Sequence, residues 1–308
     1  QSEQYTDTTI HYSSPAPSGV IPLYSPAMPN ILIGTSGFSY DDWHGPFYPV
    51  DLPKNERLQH YAQQFQFLEL NFTYYRMPKS NQMDRMLSGV SNSFRIVTKL
   101  NRALTHELPA TEYDLNSRCE QFIDGLQPVV ERGALSGILL QFPFRFHYDP
   151  ENRRYLAKLT DTIRKRTDAK VPQFVEFRAT EWQRQRVVRE MSRRGLHLVL
   201  VDLPELRGLP QSIDGSELLP TTSAYIRFHG RNAQHWWSGD NVTRYDYSYS
   251  ATELRQTAER IVQIAGRNQL ELIVVAFNNH YRGQAPANAA ELAGILRERG
   301  LYDSYSLK

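Results

Sequence analysis

Eight short runs of apolar, β-branched and aromatic residues recur along this chain, and their spacing limits its architecture more than any other feature. They are "ILIGTSG" (31–37), "FLELNFTYY" (67–75), "FRIVTKL" (94–100), "GILLQF" (137–142), "QFVEFR" (173–178), "LHLVLVD" (196–202), "AYIRFHG" (224–230) and "LIVVAFNN" (272–279). Most are separated by a segment whose apolar residues repeat at helical spacing, among them "NERLQHYAQQF", "LNSRCEQFIDGLQPVVERG", "PENRRYLAKLTDTIRKR" and "SATELRQTAERIVQIAG". Strands alternating with helices form βαβ units and a parallel sheet. Eight such units over about 280 residues predict an α/β fold, a closed (β/α)8 TIM barrel. The competing open, doubly wound sheet would carry a dinucleotide-binding glycine turn after its first strand. "GTSGFSYDDWHG" lacks the G-x-G-x-x-G spacing, and no G-x-x-x-x-G-K is present.

The 308 residues fit one barrel with a short extension. Residues 1–30, rich in Ser, Pro and Tyr, are expected to form an N-terminal arm, and 31–308 a single domain. The arm has neither the basic nor the apolar region of a secretory signal, and no window approaches the roughly 18 apolar residues of a membrane helix. One cysteine, Cys119, excludes a disulfide framework and a cysteine metal site. A cytoplasmic protein without membrane contact is expected. The net charge of +2 is too small to indicate nucleic-acid binding by itself, though local basic patches remain open.

On a strand, alternate residues share a face. In the second run Leu68, Leu70, Phe72 and Tyr74 form one face, and Glu69, Asn71, Thr73 and Tyr75 the other. Glu176 and Arg178 share a face of the fifth run, as do Tyr225, Arg227 and His229 of the seventh. Three strands thus place ionisable groups on the face that a barrel turns inward. Barrel chemistry sits at the C-terminal mouth. The candidates there are Thr35, Ser36, Asn71, Thr73, Lys99, Gln141, Arg178, Asp202, His229, Asn278 and Asn279, with Glu69 and Glu176 slightly deeper. An internal ion-pair network of Glu69, Glu176, Arg178 and Arg227 is the competing reading, and at least one Glu–Arg pair is expected.

All four tryptophans follow strands. Trp43 and Trp182 are expected to plug gaps at the barrel rim, and Trp236 and Trp237 to face a ligand or act as a lid. Cations such as Arg231, His235 and Arg244 interleave with the aromatics of the seventh loop, a combination suited to flat or phosphate-bearing ligands. Asn278 and Asn279 precede a helix whose first N–H groups suit a phosphate.

The segments "IGTSGFSYDDWHGPFYP", "YAQQFQFLELNFTYYRMP", "FRIVTKLNRALTHE", "LLQFPFRF", "VEFRATEW", "VDLP", "YIRFHG" and "FNNHYRGQAPANA", in this order, resemble the YecE-like family, the domain of unknown function seventy-two. The resemblance spans residues 31 to about 297 and implies a TIM barrel with a polar mouth, without an assigned activity. Phe38 stands where the family pattern has tryptophan, and Phe72 where serine is common; the N-terminal arm is a further departure.

The leading functional expectation is a hydrolase or lyase acting on a phosphate-bearing or other small anionic substrate. Glu69 or Glu176 would act as base, His229 as acid or electrophile, and Lys99, Arg178 and Arg227 as anion holders. A metal-dependent, endonuclease-IV-like nuclease is the first alternative, with ligands drawn from Glu69, His106, Glu176, Asp202 and His229. Without H-x-H or H-E-x-x-H spacing, no cofactor or metal is expected. The second alternative is a module that binds a nucleotide or single-stranded nucleic acid without reacting. A glycosidase is disfavoured, because Gln141 and His229 occupy the strand ends where barrel glycosidases carry carboxylates. A Schiff base at Lys99 would require a desolvated pocket, and "GTSGF" is not a serine nucleophile elbow.

Overall fold

The computed structural model describes residues 28–210, 222–238, 240, 242–266 and 270–302. Eight parallel strands close into a barrel in chain order: β1 (Asn30–Ser36), β2 (Phe67–Leu70), β3 (Arg95–Lys99), β4 (Leu135–Gln141), β5 (Gln173–Glu176), β6 (Leu196–Asp202), β7 (Ser223–Phe228) and β8 (Leu272–Phe277). Helices α1 (Arg57–Gln64), α2 (Phe72–Tyr75), α3 (Ser80–Leu87), α4 (Arg102–Thr105), α5 (Glu112–Gly125), α6 (Gln127–Glu131), α7 (Pro150–Arg164), α8 (Gln185–Arg193), α9 (Ala251–Ala265) and α10 (Gln284–Glu298) fill the crossovers. This is the predicted α/β TIM barrel. The barrel begins at Asn30, which pairs with Leu272 of β8. The remainder of the expected arm, residues 1–27, lies outside the described residues.

Local chemistry sets the helix starts. Thr111 caps α5 by accepting from Asp114 N at 3.1 Å. Asp149 caps α7 by accepting from Asn152 N at 2.8 Å, and Pro150 takes a first-turn position where no N–H is required. Ser250 and Glu253 form a reciprocal capping box at α9. The long helical segment expected between the third and fourth strands is two helices, α5 and α6. Gly125 ends α5 against Pro78, where a Cβ would fall 2.2 Å from the Pro78 carbonyl oxygen.

The second strand is shorter than its apolar run predicts. It ends at Leu70, and the chain turns into α2 at Phe72. The face assigned by alternation therefore fails beyond Leu70: Asn71 has helical backbone angles, and Thr73 is buried with its hydroxyl bonded to the Leu70 and Lys99 carbonyls at 2.9 and 2.7 Å. β propensity lost here to side chain–backbone bonding.

Two apolar layers result. The larger lies between strands and helices and includes Ile33, Leu68, Leu140, Val175, Ile226 and Val275. The smaller fills the barrel itself, with Leu32, Phe67, Val97, Leu139, Phe174, Val199, Tyr225 and Val274. Two residues nearer the C-terminal end, the inward positions turn polar: Phe67 gives way to Glu69, Val97 to Lys99, Leu139 to Gln141, Phe174 to Glu176, and Tyr225 to Arg227. On β6 they stay apolar, through Val199, Val201 and Leu203. The barrel is thus a dry plug below and an ionic chamber above. Among the described residues no helix is long and apolar enough to cross a membrane.

Candidate functional site at the barrel mouth

Arg227 organises the chamber. Its Nε and Nη2 donate to the two carboxylate oxygens of Glu69 at 2.7 and 2.6 Å, Nη2 also to Ser36 Oγ at 3.1 Å, and Nη1 to Glu176 Oε2. Glu69 additionally accepts from Ser36 Oγ at 2.7 Å and from the Tyr225 hydroxyl. Around the wall, Ala276 of β8 is in register with Arg227 and Ser36 of β1 with Glu69, and the Ser36 hydroxyl bonds both members of the pair. The expected Glu–Arg pair is therefore doubled, with one arginine bridging two glutamates. Glu69, wholly buried, has both oxygens occupied and no position left for a substrate proton. Arg227, likewise buried, acts as a tie between carboxylates instead of the expected substrate-facing anion holder.

Glu176 is less complete. Oε1 lies 3.1 Å from Arg178 Nη2 and 3.4 Å from His229 Nε2, yet makes no hydrogen bond. Burial acts to raise its pKa, but Arg227, then Arg178 and His229, outweigh it and hold the carboxyl well below its usual range. Asn278 Nδ2 donates to His229 Nδ1 at 2.9 Å, leaving Nε2 to carry the ring proton. Burial, followed by Arg178, pushes the His229 pKa down to about 3, so the imidazole is neutral at physiological pH. Trp236, 4% exposed, stands over it at 6.5 Å between ring centroids. Glu176 and His229 are sealed beneath this ring, which places the expected base and acid one layer below the surface that a ligand touches.

Above them lies a cleft of about 250 Å³, lined in part by His106, Gln141, Arg178, Arg244 and Tyr245. Lys99 stands beside it, half-buried, with Nζ 4.4 Å from the centre of the Tyr74 ring. Among the described residues Lys99 makes no ion pair. Burial, then Arg227, lowers its pKa to about 8. His106 stacks edge-on with Tyr74 at 5.0 Å; burial, then Lys99, Arg145, Arg102 and Arg178, lower its pKa to about 4. Arg178 and Arg244 lie 5.7 and 6.0 Å from the Trp236 ring, whose face orients both guanidiniums. Trp236 and Trp237, paired by sequence, have different places: Trp236 backs the cleft, whereas Trp237 is 60% exposed on its rim, edge-on to Phe144. Trp43 and Trp182 fill the rim as expected, donating to the carbonyls of His280 and Phe146.

Three strand-end candidates face away from the chamber, the first being Thr35, whose hydroxyl bonds the Gly37 carbonyl at 2.7 Å and the Tyr61 hydroxyl of α1 at 3.0 Å. Asp202 is on the outer side of β6, where it receives Arg231 Nε and Nη2 at 2.8 and 2.7 Å and the Tyr249 hydroxyl at 2.8 Å. Asn279 donates to the Tyr247 carbonyl and to Asn288 of α10. Their neighbours Val201 and Asn278 hold the inward positions, as the two-residue period requires. Thr73 ties α2 to β3 and is likewise not available to a ligand. Among the described residues, no group of three or more His, Cys, Asp and Glu side chains is placed to hold a metal ion. The five ligands considered for a metal nuclease do not converge, because Asp202 faces outward. Tyr225, Phe144, Arg145 and Tyr245 join the site without having been singled out for it. Tyr225 was legible from its two-residue offset to Arg227, and Phe144 and Arg145 from the loop directly after β4.

Solved structures share this fold. A DUF72 family protein of Thermotoga maritima MSB8 is 33% identical, with a TM-score of 0.75 covering 87% of this chain and 99% of its own. A DUF72 family protein of Enterococcus faecalis V583 is 24% identical, with a TM-score of 0.72 over 87% and 95%. UPF0759 protein YunF of Bacillus subtilis (strain 168) is 24% identical over 284 residues, 86% of this chain and 94% of that protein. The family pattern described as "Protein of unknown function DUF72" matches residues 32–304, and this chain belongs to that family.

Proposed function

We propose that the protein is a hydrolase or lyase that takes a small anionic substrate at the barrel mouth. Lys99 moves the proton, and Arg178 and Arg244 hold the anion. The supporting observation is a surplus of cations: Lys99 and Arg244, both half-buried, have no carboxylate partner among the described residues, whereas Arg57 has one and Arg227 and Arg231 have two each. Unpaired charge half-withdrawn from water is costly, and a ligand of opposite charge relieves that cost. An ammonium titrating near 8 is protonated at neutral pH and still able to release its proton. That suits protonation of a leaving oxygen or, in the deprotonated fraction, proton abstraction. Glu176 and His229 serve as positioning residues: the ionised carboxylate keeps Arg178 charged and aimed, and the neutral imidazole fills the space between Glu176 and Asn278. The single cysteine, buried, fits the cytoplasmic setting expected from the sequence.

The test is a metabolite extract incubated with the folded wild-type chain and with Lys99→Met, each followed by mass spectrometry. Anionic species consumed by the wild type and spared by the variant are expected. Equal consumption by both proteins, or by neither, overturns the reading. Binding without reaction is the second reading, supported by Tyr75 at the end of α2 and by Phe144 and Trp237 on two separate loops, all exposed. Retention of an oligonucleotide that weakens with salt and is lost in Trp237→Ala, with no product formed, would favour it.

A further inference from the structure

The rim of the cleft carries chemistry that an anion alone does not need. Phe144, from the loop after β4, and Trp237, from the loop after β7, are 45% and 60% exposed, with ring centres 6.3 Å apart and planes at 81°. Large rings exposed side by side on separate loops leave faces open for a third ring. Below them, Arg178 and Arg244 are fixed over Trp236, and Arg244 Nε is buried without a hydrogen-bond partner among the described residues. Gln141, which lines the cleft, donates its Nε2 to the Phe142 carbonyl.

We infer that the cleft binds a flat aromatic ring bearing a phosphate or carboxylate group, with the ring against Trp237 and Phe144 and the anion against Arg178 and Arg244. This deepens the proposed function by naming its substrate class, and it rests on the same mouth being the working site. Size decides between a small molecule and a polymer. The cleft holds about 250 Å³, below the roughly 300–1,000 Å³ of common small-molecule pockets. One ring with one anionic group fits such a space, whereas a stacked strand of nucleotides does not. Charge decides the polarity: with Arg244 lacking a carboxylate partner among the described residues, a neutral ring would leave that guanidinium uncompensated there.

Calorimetric titration of the full chain with inorganic phosphate, phenyl phosphate, benzoate and phenol tests this directly. Phenyl phosphate is expected to bind about tenfold or more tightly than phosphate, as one stacked ring provides, and phenol not measurably. In Trp237→Ala that margin should fall to about two- or threefold, with phosphate binding unchanged. Arg244→Met should weaken phosphate and phenyl phosphate alike. The benzoate arm separates the two anion sources: binding equal to that of phenyl phosphate assigns a carboxylate, and weaker binding a phosphate. Phenyl phosphate binding no tighter than phosphate, or a margin that survives in the double variant Phe144→Ala/Trp237→Ala, overturns the inference. So does an absence of binding by all four probes. The outcome is distinguishable from failure of the catalytic reading, because Lys99→Met can leave turnover intact while the ring margin persists.

Discussion

Two ion clusters flank the C-terminal end of β7, built from nearly the same parts. Inside the barrel, Arg227 is held by Glu69 and Glu176, with the Tyr225 hydroxyl on Glu69. Outside it, four residues further along, Arg231 is held by Asp202 and Glu253, with the Tyr249 hydroxyl on Asp202 and the Tyr247 hydroxyl on Glu253. The outer cluster closes on itself. Both Asp202 oxygens and all three Arg231 nitrogens are engaged, and the second Glu253 oxygen is occupied by the Ser250 cap. The inner cluster is closed only at its floor. Towards the mouth it passes from Glu176 to Arg178, 3.1 Å from Oε1, and then to Lys99, Arg145 and Arg244, which have no carboxylate partner among the described residues. Composition does not separate a scaffold from a site here; the completeness of pairing does. A closed network has nothing to offer a ligand, and an open one at a solvent-reached mouth has both charge and geometry to offer.

The largest effect should come from removing the hub of each cluster. Arg227→Met leaves two wholly buried carboxylates without their cation and is expected to cost about 3–5 kcal/mol or more, read as a collapse of the urea midpoint or loss of folded protein. Arg231→Met should cost less, about 2–3 kcal/mol, since its side chain is 32% exposed and water can reach the cluster. Equal losses would erase the contrast between floor and flank.

Lys99→Met should act in the opposite direction and stabilise the fold by about 1–3 kcal/mol, because it removes a desolvated charge that Glu69 and Glu176 offset only in part and that no described carboxylate contacts. The sign can be checked by pH. With the folded pKa near 8 and the ordinary value at 10.5, the unfolded chain binds more protons between them. Wild-type stability should therefore rise with pH across that window, and the variant should lose that rise. A Lys99→Met protein less stable than wild type would mean that the ammonium is paired after all.

His229 sharpens the comparison further. With its pKa near 3 against an ordinary 6.5, it should show no imidazole titration by NMR between pH 5 and 8. Its contribution to stability is complete above pH 6.5 and declines as pH falls towards 3, because the unfolded chain takes up the proton first. A midpoint near neutrality would refute the neutral-imidazole assignment. The smallest effect belongs to Trp237→Ala, expected within about 0.5 kcal/mol in thermal unfolding, since that ring leans on the rim and not on the core.

The barrel was legible because its signal is local and repeated: eight apolar runs with helical segments between most of them, each readable within a dozen residues. The site was legible in part. Alternation placed Glu69, Glu176, Arg227 and His229 on one interior face, and Ser36, Lys99, Gln141, Arg178 and Asn278 beside them. It failed where a strand ends, since the face then depends on one residue more or less. Asp202 and Asn279 look like mouth residues and face outward, and Asn71 and Thr73 belong to a helix that an aromatic, β-branched run does not announce.

What the sequence determined alone is the order of strands and the parity of each, because backbone hydrogen bonding fixes a period of two irrespective of what lies across the lumen. What only the closed barrel decided is partnership. Glu69 and Arg227 are 158 positions apart, and their pairing exists because the sheet closes, bringing β7 round to β2 by way of β8 and β1. No local pattern states which carboxylates will be neutralised and which cation will be left over. That remainder, Lys99 with the mouth arginines, is what points to function, and it is defined only once the buried carboxylates of the barrel have found their partners in three dimensions.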